Sequence, residues 1–503
     1  MNNQILAFIL VPVALIAAIW ATSSLLTIPE YLRIVYLVAG TTFLVPLLVK
    51  RNLPYDFKFL MILMIGYAVA GKGFAYLAPV EPLYIGEITL GLCLVGLLVR
   101  QAGSLNVFPT GLHYTIFAFM ALAGISLMVR DFKVYRLDSL RDASVAYYGL
   151  FFFCAFHMLR SPSVMVAIRR TGGWMLVAWA ILTVVDFTFQ AAGFELGLRE
   201  GLFRVNEYLA YFYYPHPDIL VPLAATLSIV SISYLLREKR ILFLIPLMLS
   251  LASLVTGKAA GLFAFIVTCG TLVVFARRIE IGIFGLFTGF FGGLIVAILI
   301  AMGITDFLGE VELLAAAGEG LGVTNNFALT TSDWRLSWWS AIWHDTMRDN
   351  PWFGSGLGSD ISSSFLTDYY GIERAQARAV QGGGARYPHN ILFTVFGRMG
   401  VIGVLFFTVY LLFVLKVMWD FCVIYLRKSD YLMGDLLLFA LFCSGLANAF
   451  VQATYEAPYA AIIHWVCLAY LARRVYDYKH GMATAPVPEL APARGIQPHA
   501  VAG

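Results

Sequence analysis

Tyr387-Pro388-His389-Asn390-Ile391-Leu392-Phe393-Thr394-Val395-Phe396-Gly397-Arg398-Met399-Gly400-Val401-Ile402-Gly403 marks the point where a polar stretch gives way to an apolar one. From Ile391 to Leu415 the single charged residue is Arg398. A helix of that run is long enough to cross a bilayer core, which takes ~20 apolar residues. Upstream, starting near Asp306, lies a long net-acidic loop: residues 304–390 hold five Arg, no Lys and ten Asp or Glu. A connection this long is expected to be folded. The chain is therefore read as a membrane protein with one structured extramembrane segment, and His389 sits at the seam.

The rest of the sequence agrees. Of 503 residues, 60% are hydrophobic and only 13% are charged, half the ~25% typical of soluble domains. Mean hydropathy is +0.80. The expectation is an all-α polytopic membrane protein; a β-barrel would need ~10-residue strands of alternating polarity instead of long apolar runs. Spans are predicted at roughly 5–27, 31–49, 57–78, 83–99, 111–129, 143–160, 173–193, 218–236, 241–255, 259–277, 281–303, 391–415, 431–452 and 458–474, or about 12–14 transmembrane helices. The run Ile5 to Leu26 lacks a basic flank and a small-residue cleavage site, so it reads as a retained helix. The division expected is helices over 1–303, a large loop over 304–390, C-terminal helices over 391–475 and a disordered tail over 476–503 rich in Ala and Pro. The six cysteines all lie in apolar segments, which indicates neither a disulfide framework nor a Cys-based metal site.

Sidedness follows from Lys and Arg, which concentrate in cytoplasmic loops. With the N-terminus inside, alternate short connections collect 18 of the 34 basic residues, from Lys50 and Arg51 through Arg277 and Arg278 to Arg473, Arg474 and Lys479. Both termini are then cytoplasmic and the long loop is external. Within it, Thr331-Ser332-Asp333 offers a helix N-cap. Trp334, Trp338, Trp339, Ile342, Trp343 and Met347 follow at helical spacing, and Asn350-Pro351 ends the run. Such a helix either lies at the membrane face with its indoles at headgroup depth or packs on neighbouring protein. Gly354-Ser355-Gly356-Leu357-Gly358 is next, either a plain turn or a cradle of backbone amides for a phosphate at Gly356. Gly382-Gly383-Gly384 gives slack before His389.

Basic residues on the external side are exceptions and each needs a reason. Arg130, Lys133, Arg136 and Arg141 are interleaved with Asp131, Asp138 and Asp142, which reads first as self-neutralising surface ion pairs. Arg204 stands between two spans. Lys258, in Thr256-Gly257-Lys258-Ala259-Ala260-Gly261, has almost no loop around it; it either snorkels to the headgroups or serves a site, the usual fate of charge at that depth. Arg335 lies in the long loop. Cations converging on one face suggest an anion, and a lipid-linked diphosphate fits: membrane-tethered, and a good leaving group once its charge is neutralised. His389 precedes a helix whose positive end disfavours imidazolium, so a neutral ring there can take a proton from an attacking sugar hydroxyl; the alternative is a helix-capping histidine. His216, in Tyr214-Pro215-His216-Pro217-Asp218, reads as structural, with substrate contact as the alternative. Lys72 and Glu87, in consecutive spans, could pair with each other. Arg398 lies nine residues past His389, half a turn out of phase on a straight helix. Asp186 is given no role.

Taken together, Arg335, Trp339, Asn350-Pro351-Trp352-Phe353-Gly354-Ser355-Gly356-Leu357-Gly358, Pro388-His389-Asn390 and Gly400-Val401-Ile402-Gly403 resemble the signature of O-antigen ligases and polymerases. The resemblance covers about 70 residues by count. It implies a bacterial inner-membrane glycosyltransferase of the GT-C type. Such an enzyme takes glycan from undecaprenyl diphosphate on the periplasmic side, without metal or other cofactor. The family's periplasmic His matches His389 and its loop Arg matches Arg335. Where relatives often carry Ser-Arg-Gly this chain has Gly257-Lys258-Ala259, which passes the basic role to Lys258. Where they often carry Glu it has Arg398.

The sequence is thus read as a polymerase or ligase of glycan repeat units. His389 is the base, and Arg204, Lys258 and Arg335 grip the diphosphate. His216, Arg141, Arg398 and Gly356 are possible substrate contacts. Expected partners are a lipid-linked glycan, a glycan or lipid acceptor, the bilayer, and a chain-length regulator with export proteins; no nucleic acid is expected. A transporter or flippase of the same lipid is the alternative, although the paired internal halves common in transporters are not evident.

Overall fold

A computed structural model describes residues 53–75, 84–101, 107–191, 217–257, 259–301, 327–361, 365 and 388–482. Its described residues are helical and contain no strand. In order they form α1 (Tyr55–Ala75), α2 (Ile85–Gln101) and α3 (Gly111–Ser126), the last extended by a π-turn over Leu127–Asp131. Short helices follow: α4 (Leu137–Asp142), then a single turn over Ser144–Tyr147, then α5 (Leu150–Met158). Longer ones come next: α6 (Pro162–Ala191), α7 (Pro217–Glu238), α8 (Leu244–Gly257), α9 (Ala259–Val274) and α10 (Ile279–Ala301). The last four are α11 (Phe327–Asp349), α12 (Ile391–Phe421), α13 (Met433–Asn448) and α14 (Pro458–Lys479).

The protein is an all-α polytopic membrane protein. Among the described residues four stretches are long and apolar enough to cross a bilayer: Gly111–Tyr135, Pro162–Ile181, Ile219–Glu238 and Ile391–Leu426. Shorter apolar helices accompany them at Ile241–Leu251, Gly261–Val274, Ile279–Phe291 and Met433–Asn448. The expected spans 5–27 and 31–49 lie outside the described residues. Three expectations need correction. The stretch 143–160 is not one helix but two short ones meeting near Gly149, whose missing side chain leaves room for Ile116 and Met120 from α3. Helix α6 starts at Pro162, where the ring is tolerated because the first-turn N–H groups have no helical partner. Helix α11 starts upstream of its expected cap at 331–333.

Helix α7 packs on α13, α8 and α9, and α14 packs on α5, α13, α1 and α12, within one shared core. Small hydroxylated residues let α7 approach its neighbours. Thr226, Ser228, Ser231 and Ser233 are fully buried, and Ser228 Oγ lies 2.8 Å from Ser250 Oγ on α8. Between helices in lipid there is no hydrophobic drive, so close packing and such hydrogen bonds supply the association.

At one end of the bundle basic side chains are locked in place. Arg237 and Arg278 each stack 4.4 Å from the Tyr431 ring, and Arg427 donates to Phe275 O at 3.0 Å. Asp435 on α13, buried, receives Arg474 at 3.0 Å and Arg169 at 3.4 Å. These residues all come from the connections that the sidedness argument grouped together. The opposite end carries the start of α12, the ends of α3 and α13, and α11.

Candidate active site

The site is built around a break in α12. At Gly400 the backbone leaves the helix (φ 63°, ψ −160°). A straight α-helix would pair Val401 N with Gly397 O and Ile402 N with Arg398 O. Both pairs are open, and one turn of the long loop fills them. Ser355 N donates to Gly397 O at 2.8 Å and Gly356 N to Arg398 O at 3.0 Å. In return Val401 N donates to Pro351 O at 2.9 Å and Ile402 N to Trp352 O at 3.2 Å. Backbone broken within an apolar segment survives where neighbouring protein re-satisfies it in this way. The approach is so close that both sides require glycine. A Cβ on Gly400 would lie 2.4 Å from Trp352 C, and one on Gly354 (φ 65°) would lie 2.6 Å from Arg398 C.

Two buried carboxylates hold the far side of the turn. Asp131, at the end of the π-turn, accepts Leu357 N at 3.0 Å, Ser126 Oγ at 2.7 Å and Arg130 Nε at 2.7 Å. Asp142, at the end of α4, accepts Gly358 N at 2.9 Å and pairs with Arg398 at 2.5 Å; both ionic side chains are 1% exposed. Arg398 Nη1 also donates to Ser359 O at 3.2 Å, and Arg130 Nη1 to Gly354 O at 3.2 Å. These contacts correct two readings. Arg130 and Asp131 do pair, at 2.7 Å, but the Asp131 and Asp142 carboxylates are buried and accept backbone amides of the turn instead of lying at the surface. The glycine turn does not present a phosphate cradle, because every amide from Phe353 to Ser359 already has an acceptor. Gly356 is therefore a packing residue: its φ of 100° and a Cβ position 2.5 Å from Asp131 Oδ1 leave no other side chain possible without a shift.

The break leaves a short arm, residues 391–399, with His389 at its outer end. Asn390 is the N-cap; its Oδ1 accepts Leu392 N at 2.9 Å and Phe393 N at 3.4 Å. His389 is thus not the capping group. Its own backbone is in the left-handed region (φ 53°), which costs a residue with a Cβ about 1–2 kcal/mol and persists only when the surroundings impose it. They do. Pro388 O accepts the Trp339 indole at 2.7 Å, and Ile391 N donates to Ala449 O at 3.0 Å. His389 is partly exposed between these anchors.

Helix α11 lies along the arm. Trp339 stacks on Phe393 with centroids 5.2 Å apart, and Trp343 on Phe396 at 5.0 Å. Trp338 is completely buried and donates to Ile361 O at 3.1 Å. The tryptophan helix therefore packs on protein, though Leu336, Trp343 and Met347 remain exposed. Arg335, half-buried, lies one turn before Trp339 on the same face, and Trp339 is bonded to the residue preceding His389. The fold thus brings the Arg335 turn and the His389 backbone to one end of one helix pair.

Of the other predicted residues, Arg398 is in the buried pair and Arg141 is exposed beside Asp142. Arg204, His216 and Lys258 lie outside the described residues, as does the side chain of Lys72. Glu87 accepts the hydroxyls of Tyr148 at 2.8 Å and Tyr147 at 3.1 Å. Among the described residues no group of His, Cys, Asp and Glu could hold a metal ion. The sequence reading missed the end of α13 and its connection to α14. There Asn448, Gln452, Thr454 and Glu456 are all buried, directly beside the Ala449 carbonyl that fixes Ile391. Four polar residues within nine positions of an otherwise apolar hairpin were the available signal.

Residues 223–408 match the family described as O-antigen ligase. That segment contains Lys258, Arg335, Gly356, His389 and Arg398; Arg141, Arg204 and His216 precede it. No curated protein matches the chain.

Proposed function

We propose that this chain, whose residues 223–408 match the O-antigen ligase family, is a membrane glycosyltransferase that transfers or polymerises glycan repeat units from undecaprenyl diphosphate on the periplasmic face. Handling of glycan in a membrane follows from the family; the donor, the face and the residue roles are our reading. His389 Nε2 or Nδ1 takes the proton of the acceptor hydroxyl as its oxygen attacks the anomeric carbon. The bond from that carbon to the diphosphate oxygen breaks, and the electron pair leaves with undecaprenyl diphosphate. Arg335, Lys258 and Arg204 neutralise the charge that develops there, which is where fixed cations lower a barrier most. Arg335 supplies a planar fork and Lys258 a point charge. The protein lies in the bacterial inner membrane with both termini cytoplasmic.

The observation that carries this reading is the imposed backbone of His389, held from both sides at the mouth of a broken helix beside the Arg335 turn. A base needs a fixed position to be effective. The test is His389→Ala in purified protein supplied with lipid-linked glycan. Product formation should stop while insertion and monodispersity persist; normal product length in that variant would remove His389 from the chemistry.

A further inference from the structure

The geometry points to Asp142 and Arg398 as positioning residues for His389, acting through the arm 391–399. This inference rests on the role of His389 proposed above. Because α12 is broken at Gly400, the arm is not held by continuity with the membrane segment that follows. Its orientation is set by what touches each end. At the His389 end there are two backbone anchors, Trp339 to Pro388 O and Ile391 N to Ala449 O. At the Gly400 end there is the glycine turn, and the turn is itself held by Asp131 and Asp142. Arg398 belongs to the last turn of the arm. Its ion pair with Asp142 is a direct side-chain link from the arm to the segment between α3 and α5.

One carboxylate thus serves two masters. Asp142 Oδ2 receives both Gly358 N from the turn and Arg398 from the arm, so it fixes arm and turn to the membrane bundle at a single point. The helical stretch from Arg398 back to Ile391 is seven residues, about 10.5 Å at 1.5 Å per residue, and His389 lies two residues beyond it. The two backbone anchors restrain the outer end, but with the Arg398 end released the arm can pivot about them, and a shift of about 1 Å at the imidazole can cost about 100-fold in rate. Such a pair is also suited to testing. Removing one partner strands a buried charge, whereas removing both often leaves stability unchanged.

The experiment compares the double variant Asp142→Asn with Arg398→Gln against the intact protein in detergent, using purified lipid-linked glycan. The amide introduced by Asp142→Asn retains an oxygen for the Gly358 N–H, and replacing both partners removes the two charges of the pair together. We expect normal insertion, a donor KM within about threefold of the parent, and turnover lower by about ten-fold or more. Hydrogen exchange of the peptide covering 391–399 should accelerate while that of α13 does not change. The single variant Arg398→Lys, which keeps the charge, should recover part of the turnover. Turnover and arm exchange both at the parental level would overturn the inference. So would a rise in exchange across the whole bundle, which would make the pair merely structural. Should the double variant fail to fold, Asp142→Glu decides: a carboxylate one methylene too long should lower turnover with the arm loosened, and parental turnover there overturns the claim. If His389→Ala proves active, the catalytic reading fails, and the exchange data alone then decide whether the pair orients the arm.

Discussion

Two buried aspartates sit at opposite ends of this protein and do different work with the same chemistry. Asp435 on α13 receives Arg169 from α6 and Arg474 from α14, with the Tyr470 hydroxyl beside it. All its partners are side chains on continuous helices, so it joins finished elements to one another. Asp142 receives an arginine from a half-helix and a backbone amide from a loop turn. Its partners are parts of the molecule that have no fixed direction of their own. The first arrangement secures a bundle; the second aims a segment. Burial of an ion pair therefore says little about purpose until one asks what each partner is attached to.

The comparison is most sharply broken at Gly400. Gly400→Ala puts a Cβ 2.4 Å from Trp352 C at a φ of 63°, so the turn must leave the break. We expect turnover below detection and new protease sensitivity at 350–361, while α13 and α14 retain their exchange protection. Asp435→Ala should do the converse. It strands two guanidiniums inside the bundle, a loss of about 3–5 kcal/mol, seen as a lower melting temperature in detergent. Turnover per folded molecule should hold. Gly356→Ala comes next: the strain of a left-handed non-glycine residue, about 1–3 kcal/mol, acts on the Asp131 side of the clamp and should lower turnover without altering donor KM. A rise in donor KM instead would restore the phosphate cradle. Trp339→Phe keeps the stack on Phe393 and removes the hydrogen bond to Pro388 O, about 1 kcal/mol. A several-fold loss of turnover with unchanged expression is expected.

What the sequence made legible divides along the same line. The apolar spans, their alternation of charge and the all-α architecture could be read because lipid imposes a long, one-sided compositional demand. Arg335 and His389 could be proposed because their neighbours form an ordered signature. Asp131 and Asp142 were not. Interleaved with Arg130, Arg136 and Arg141, they look like any solvated charged loop, and their partners lie more than 200 residues away in sequence. The role of Arg398 was hidden for a different reason. Phase arguments assume a straight helix, and nothing in Gly397-Arg398-Met399-Gly400 announces which glycine breaks it. The partners of the tryptophan helix on α12 could not be named from the spacing of its indoles.

The central claim is that an imidazole fixed at the mouth of the broken helix activates the acceptor. A single-turnover experiment tests it most directly: purified His389→Ala, loaded with lipid-linked glycan and offered acceptor, with bound donor and product both quantified. The account predicts donor bound as in the parent protein and no product. Product at the parental rate, from the same bound donor, would contradict it.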